Sequence, residues 1–315
     1  MREHVETWGP ATVANWGPGY DLMGAAVSGM GDRVTARWEP NGTGRIRIES
    51  ITGDNGKLPL DPVKNTAGVA AQEALNLMQV ADKDVVITLE KGLPIGSGMG
   101  SSAASAAAAA WAVHQLCESD LPRKALLPAL LKAEETASGW HADNVAPCLL
   151  GGFVLIQSYE PLEVLQVPAP ESFWVTLVKP NISISTRDAR RVVPQQITLK
   201  QHIQNAGNLG GMLISLCRGD VARMGRAIDD RIVEPARASL IPAFDDVKAA
   251  AQDAGAYGCS ISGAGPTLFA VSDEESKAQA IADAMVETFR SKANMECTQL
   301  VTVIDNEGAR LLQSS

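Results

Sequence analysis

Aromatic side chains are scarce in this chain, 4% of its residues, so its core has to be packed mainly by Ala, Val, Leu and Ile. Positive charge is also short, with 27 Lys and Arg against 36 Asp and Glu and a formal charge of -9. That balance disfavours a nucleic-acid partner, whose dense phosphate charge draws basic proteins, and still allows a small anion to bind locally. No window approaches the roughly 20 apolar residues of a membrane span, and the opening "MREHVETWGPATVANWGPGYD" has no apolar core of signal-peptide length. No membrane association and a cytoplasmic location are therefore expected. Cys117, Cys148, Cys217, Cys259 and Cys297 are odd in number, scattered and without a C-x-x-C pair. This argues against a disulfide framework and a zinc site, and favours small buried residues in a reducing compartment.

The chain's 315 residues lead to an expectation of about two domains. Residues 5 to 51 alternate Gly/Pro-rich turns with short apolar stretches and end in "RIRIESI", whose period of two predicts a half-buried strand. "NTAGVAAQEALNLMQV" reads as a helix and "VVITLEK" as a strand, and a second helix runs from Ser101 to about Cys117. "LPRKALLPALLKAEETASG" predicts a helix closing at Ser138-Gly139, and "HADNVAPCLLGGFVLIQ" a loop passing through a short apolar turn into a strand. The Pro- and Glu-rich "SYEPLEVLQVPAPESF" marks either an edge hairpin or a boundary near 165, dividing the chain into 1-165 and 166-315. Beyond it come the strand "WVTLVKP", helices from about 198 to 255, then "CSISGAGPTLFAVS", the helix "ESKAQAIADAMVETFRS" and the strand "TQLVTVI". That order predicts an α+β fold rather than an alternating parallel α/β sheet.

The stretch "LPIGSGMGSSAAS" runs directly into the alanine tract of the second helix. Glycine loses most conformational freedom on folding and alanine is the best helix former, so the boundary predicts a helix N-terminus with bare amides behind an open loop. A Walker loop is excluded, because no lysine follows the glycines. A Rossmann fingerprint is excluded as well, because Ser101 and Ser102 follow Gly100, four residues separate the strand from the first glycine, and no acidic residue ends a following strand. Two readings stay open: a flexible turn with an N-cap serine, or a polyphosphate site made by loop and helix amides, with the serine hydroxyls adding ligands for phosphate or Mg²⁺.

"PIGSGMGSSAA" resembles the P-x-x-x-G-L-G-S-S-A-A loop of the GHMP small-molecule kinases, with Met99 where Leu is usual. "PATVANWGPGYDLMG", "HADNVAPCLLGGF", "ISTRDARRVVP", "VEPARASLIP" and "SISGAGPT" are similar, in order, to segments of the homoserine kinase branch. The resemblance implies a two-domain α+β fold, ATP and Mg²⁺ in the cleft between the domains, phosphorylation of L-homoserine, and a homodimer. It implies nucleotide contacts from Pro94, Ile95, Gly96, Ser97, Gly98, Met99, Gly100, Ser101 and Ser102, with Asn65 and Gly263 beside them.

Homoserine carries an ammonium, a carboxylate and a reacting hydroxyl, so a selective site needs an anion, cations and a polar positioner. The resemblance assigns the ammonium to Asp21, substrate contacts to Asn15 and His141, the carboxylate to Arg190 and Arg237, and Mg²⁺ to Ser102 with Glu134. Asn144 stands where some GHMP kinases have an aspartate base; an amide cannot take a proton, so it is expected to orient the hydroxyl. Plainer roles stay open: turn residues at Asn15 and Asp21, a helix cap at Asn65, an ordinary turn at Gly263, and Glu135 in place of Glu134 because the loop before His141 is short. A kinase of another small alcohol and a non-catalytic nucleotide-binding protein remain the alternatives. Trp8, Trp16 and Trp140 lie beside the motifs, either narrowing the pocket or packing beneath it.

Overall fold

The computed structural model describes residues 2–40, 42–137, 139–170 and 172–315. From the N-terminus, β1 (His4–Ala14) and β2 (Met23–Glu39) form a long antiparallel pair, and β3 (Ile46–Thr52) lies parallel to β4 (Asp84–Glu90) through the crossover helix α1 (Thr66–Leu77). β2 is long enough to serve two neighbours on one side: its far half pairs with β4, and residues 23–25 pair with β5 (Phe153–Tyr159), which turns back as β6 (Leu162–Val167). Helices α2 (Ser101–Leu116), α3 (Leu127–Glu135) and α4 (Ala142–Leu150) complete this half.

A second sheet follows, with strand order β10-β7-β9-β8 for β7 (Trp174–Pro180), β8 (Gly258–Ile261), β9 (Leu268–Ser272) and β10 (Cys297–Val303). Between β7 and β8 run α5 (Thr186–Arg191), α6 (Leu199–Cys217), α7 (Val221–Arg226), α8 (Val233–Ala238) and α9 (Phe244–Asp253). α10 (Glu275–Ala293) packs with α9 over this sheet, burying Val247, Ile281, Met285 and Phe289. Residue 165 lies within β6, and the last strand, β11 (Arg310–Ser314), pairs with β1 in the first sheet. The mixture of helices with two mainly antiparallel sheets is the expected α+β class.

Helix α2 shows how a chain poor in aromatics fills its centre. Ala103, Ala104 and Ala106 to Ala110 are all fully buried, and small side chains let helix and sheet approach closely, each buried methyl adding on the order of 0.8 kcal/mol. The few aromatics are concentrated instead. Fully buried Trp16 packs on Phe153 and Phe269 at 4.7 Å between ring centroids and on Phe173 at 6.0 Å, joining the N-terminal loop to strands of both sheets. Trp16 therefore packs beneath the site. Trp8 lies between Arg33 and Arg310, and Trp140 is exposed.

Two elements differ from expectation. The helix of residues 121–139 ends sooner, at Glu135, with Ser138 outside the described residues. The segment after His141, expected as a loop and turn, is the helix α4. Pro147 inside it hides the helix from sequence reading, since proline supplies no N–H to the carbonyl four residues back. That carbonyl, on Asp143, abuts β2 at Gly24, where any side chain would overlap it.

Candidate active site

The glycine loop joins β4 to α2 with Gly96, Gly98 and Gly100 all at positive φ. Gly100 is the N-cap residue and no side chain caps the helix, so the first-turn amides are left to whatever lies in front of them. The N-cap serine reading is thereby replaced. Ser101 Oγ donates to the Leu93 carbonyl at 3.2 Å, and Ser102 Oγ to Glu134 Oε2 at 3.0 Å. The loop is braced from the second sheet: Ser262 Oγ and Thr267 Oγ1 donate to the carbonyls of Gly98 and Ser97, each at 2.6 Å.

Beneath the loop sits a buried ion pair that sequence reasoning missed. Lys91, at the end of β4, pairs with Asp32 of β2, their side chains 2% and 0% exposed. Lys91 Nζ also donates to the Ser101 carbonyl at 2.8 Å, while Asp32 accepts from Ser105 Oγ at 2.6 Å and from the amides of Gly92 and Leu93 at 3.0 and 3.2 Å. The start of the loop and the first turns of α2 are thus tied to one carboxylate.

The loop faces a cavity of about 320 Å³. It is also lined by Asn15, Asp21, Asn65, Glu134, His141, Asn144, Arg190, Arg237 and Gly263, so residues nominated from widely separated segments converge. Of the loop residues, Ile95, Gly96, Ser97, Gly98, Gly100, Ser101 and Ser102 line the cavity, whereas Pro94 and Met99 do not; Met99 is buried in the core. Asn65 both lines the cavity and caps α1, accepting from the Ala67 amide at 3.0 Å. Glu134 is buried against Ser102, while Glu135 is exposed and pairs with Lys132 at 2.7 Å. Of the two glutamates, Glu134 lines the cavity and Glu135 does not.

At the other end, Asp21 and Arg190 face each other in a two-pronged ion pair, at 3.0 and 3.1 Å. Arg190 also donates to Tyr20 Oη at 2.8 Å, and the Tyr20 ring lies under both guanidinium groups, 5.7 Å from Arg190 and 5.0 Å from Arg237. Tyr20, within the quoted motif, is another cavity residue that sequence reasoning passed over. Arg237 is 4% exposed and donates to the carbonyls of Ala189 and Gly263 at 3.1 and 2.8 Å. Its helix, α8, is fixed by Asp230, which accepts from the amides of Ile232, Val233 and Glu234. Asn15 Nδ2 donates to the same Gly263 carbonyl at 2.9 Å, and its Oδ1 accepts from the Asp21 amide.

His141 is the N-cap of α4, with Nδ1 3.8 Å from Asp21. Burial pulls its pKa below the usual histidine value against the pull of Asp21, so the ring is neutral at neutral pH. Thr12 Oγ1 donates to Asn144 Oδ1 at 2.7 Å, which leaves the amide NH₂ of Asn144, a donor, without a hydrogen bond among the described residues. Asp143, one residue earlier, also lines the cavity and is 4% exposed; its Oδ1 has no hydrogen-bond partner among the described residues. Burial, aided by Asp21 and Glu134, pushes its pKa up to about 7.

Two glycine loops braced across a cleft, one of them opening a helix, are the arrangement of the GHMP kinases. Residues 63–152 match the model of the GHMP kinases N-terminal domain, and residues 212–291 that of the GHMP kinases C-terminal region. The chain is 44% identical to a homoserine kinase of Arabidopsis thaliana, over 98% of this chain and 85% of that protein. It is 41% identical to one of Chloroherpeton thalassium, over 98% of this chain and 100% of that protein. A crystal structure of homoserine kinase from Cytophaga hutchinsonii superimposes with a TM-score of 0.94 at 44% identity, covering 99% of this chain and 98% of the other. The chain belongs to the homoserine kinase family.

Proposed function

We infer that the protein transfers the γ-phosphate of ATP to the side-chain hydroxyl of L-homoserine, giving O-phospho-L-homoserine and ADP. The observation that carries this reading is the cavity in which an uncapped helix N-terminus faces a cluster of two arginines and two aspartates. The amides of the loop and of the first turn of α2 fit a polyphosphate, because they combine unpaired donors with the positive end of the helix dipole. Arg237 and Arg190 suit the substrate carboxylate, with Tyr20 holding both guanidinium planes. Asn15, His141 and Asp21 shape the pocket around the amino-acid end.

The donor set of Ser102 hydroxyl and Glu134 carboxylate fits Mg²⁺, a hard cation that takes oxygen ligands and completes its shell with phosphates and water. When bound, Mg²⁺ neutralises charge on the phosphates. Asn144, locked by Thr12, donates to the substrate hydroxyl and fixes its direction of attack. Glu134→Gln is expected to raise the Mg²⁺ concentration needed for half-maximal rate by about tenfold or more, since a metal-binding charge is lost while the shape remains; an unchanged Mg²⁺ titration would exclude Glu134 as ligand.

An ADP-release assay with Mg·ATP tests the reading directly, comparing L-homoserine with L-threonine, L-serine, mevalonate and galactose. Turnover is expected with L-homoserine far above the others. Preference for mevalonate or galactose would remove the amino-acid pocket, and nucleotide binding without any turnover would favour a binding protein. No helix among the described residues is long and apolar enough to cross a membrane, and the cysteines are unpaired, which supports a cytoplasmic location. A homodimer is supported by α6, whose Leu199, Ile203 and Ile214 are exposed on one apolar face.

A further inference from the structure

Tyr159, the last residue of β5, does not line the cavity, yet its hydroxyl touches two of the segments that build the cavity's amino-acid end. It donates to the Asp21 carbonyl at 2.9 Å and accepts from the Ala142 amide at 3.2 Å. Ala142 opens α4, and its amide is one of the donors that a helix N-terminus leaves without an intrahelical partner. The N-cap residue, His141, gives this turn no side-chain bond, so a hydroxyl from another strand serves as the cap. The other segment depends on the same group. Asn15, Trp16 and Asp21 all lie at positive φ, a conformation that residues with side chains keep where their surroundings impose it. For Asp21 the side chain is held by Arg190, the amide by Asn15 Oδ1 and the carbonyl by Tyr159. β5 adds a neighbouring tie, since the Ile156 amide donates to the Leu22 carbonyl at 2.7 Å.

We propose that Tyr159 is a positioning residue for the phosphoryl acceptor: its hydroxyl clamps the 15–21 loop to the first turn of α4 and so sets where Asp21 and His141 stand relative to Asn144. This deepens the homoserine kinase reading and rests on it. Tyr159 acts through these residues and does not itself touch the substrate. His141 Nδ1 and Asp21 are 3.8 Å apart, beyond hydrogen-bond reach, so among the described residues the hydrogen bonds that join the two segments run through Tyr159. Asn144 is held independently, by Thr12 and by the packing of the α4 backbone on β2 at Gly24. The clamp therefore governs how the acceptor is held and leaves the group that aims its hydroxyl in place. Burial, aided by Asp143 and Asp21, pushes the Tyr159 pKa up to about 12, and the hydroxyl stays protonated and able to donate at neutral pH.

The test separates the hydroxyl from the ring. Tyr159→Phe keeps the ring and is expected to raise the KM for L-homoserine about tenfold, with kcat and the KM for ATP each within about threefold of wild type. Tyr159→Leu, which removes ring and hydroxyl together, is expected to show the same split and to melt lower. A normal homoserine KM in Tyr159→Phe beside an impaired Tyr159→Leu would overturn the proposal, because the ring would then be the part that matters. Equal losses for homoserine and ATP in Tyr159→Phe would overturn it too, since general loosening spares neither substrate. Hydrogen exchange of the Ala142 amide in the wild-type protein gives a check that needs no variant: the amide is expected to exchange slowly, and exchange as fast as that of a solvent-exposed amide would overturn the clamp. Failure of the wild-type protein to phosphorylate L-homoserine would instead remove the parent reading, so the two failures are distinguishable.

Discussion

Gly100→Ala is expected to lower kcat by about 100-fold or more while leaving the protein folded. Gly100 sits at φ 68°, where a side chain is strained, and a methyl group there would overlap Thr12 Oγ1 and press on Asn144 Oδ1. Strain alone costs roughly 1–3 kcal/mol. The larger effect is geometric, because Thr12 is the group that fixes the Asn144 amide. One methyl group therefore disturbs the first amides of α2 and the side chain that aims the substrate hydroxyl. Misplacement of reacting groups by about 1 Å can cost 100-fold in rate. Steady-state kinetics with saturating ATP and homoserine, checked by circular dichroism for folding, measure the effect; near-normal kcat would show that the loop tolerates displacement.

Asp32→Ala is expected to destabilise the protein by about 3–5 kcal/mol, the usual cost of stranding one member of a buried ion pair. Lys91 would lose its counter-ion inside the protein, and the amides of Gly92 and Leu93 and the hydroxyl of Ser105 would lose their acceptor. Burial already pulls the Lys91 pKa down, and the Asp32 carboxylate is the main influence opposing that shift. A fall in melting temperature of roughly 10 °C is expected. Thermal unfolding checks it, and a shift of only a degree or two would mean that water replaces the carboxylate.

The elements legible in the sequence were those with strong local contrast. The glycine-to-alanine boundary placed α2, and the strict alternation of residues 45–51 placed β3. α4 was not legible, because Pro147 interrupts a helix of only nine residues whose stability comes from burial. The short β11 offered too little pattern to be recognised before its pairing with β1 was seen.

At the site, motifs brought the correct segments to one cavity, yet motif reading treats each residue alone. It could not show that Asp21 and Arg190, 169 residues apart, hold each other, or that Lys91 and Asp32, 59 apart, lie under the loop. Asp143 reads in sequence like any acid in a polar stretch. Only burial on the inner side of α4 distinguishes it.

The pairing of β11 with β1 has a consequence for how the molecule is made. β1 is made before every other described strand, and the partner for its outer edge, β11, is made after all of them. During synthesis that edge presents unpaired amides and carbonyls, a template for wrong partners, although β2 can already occupy the other side. The first sheet is thus begun before the second and completed after it.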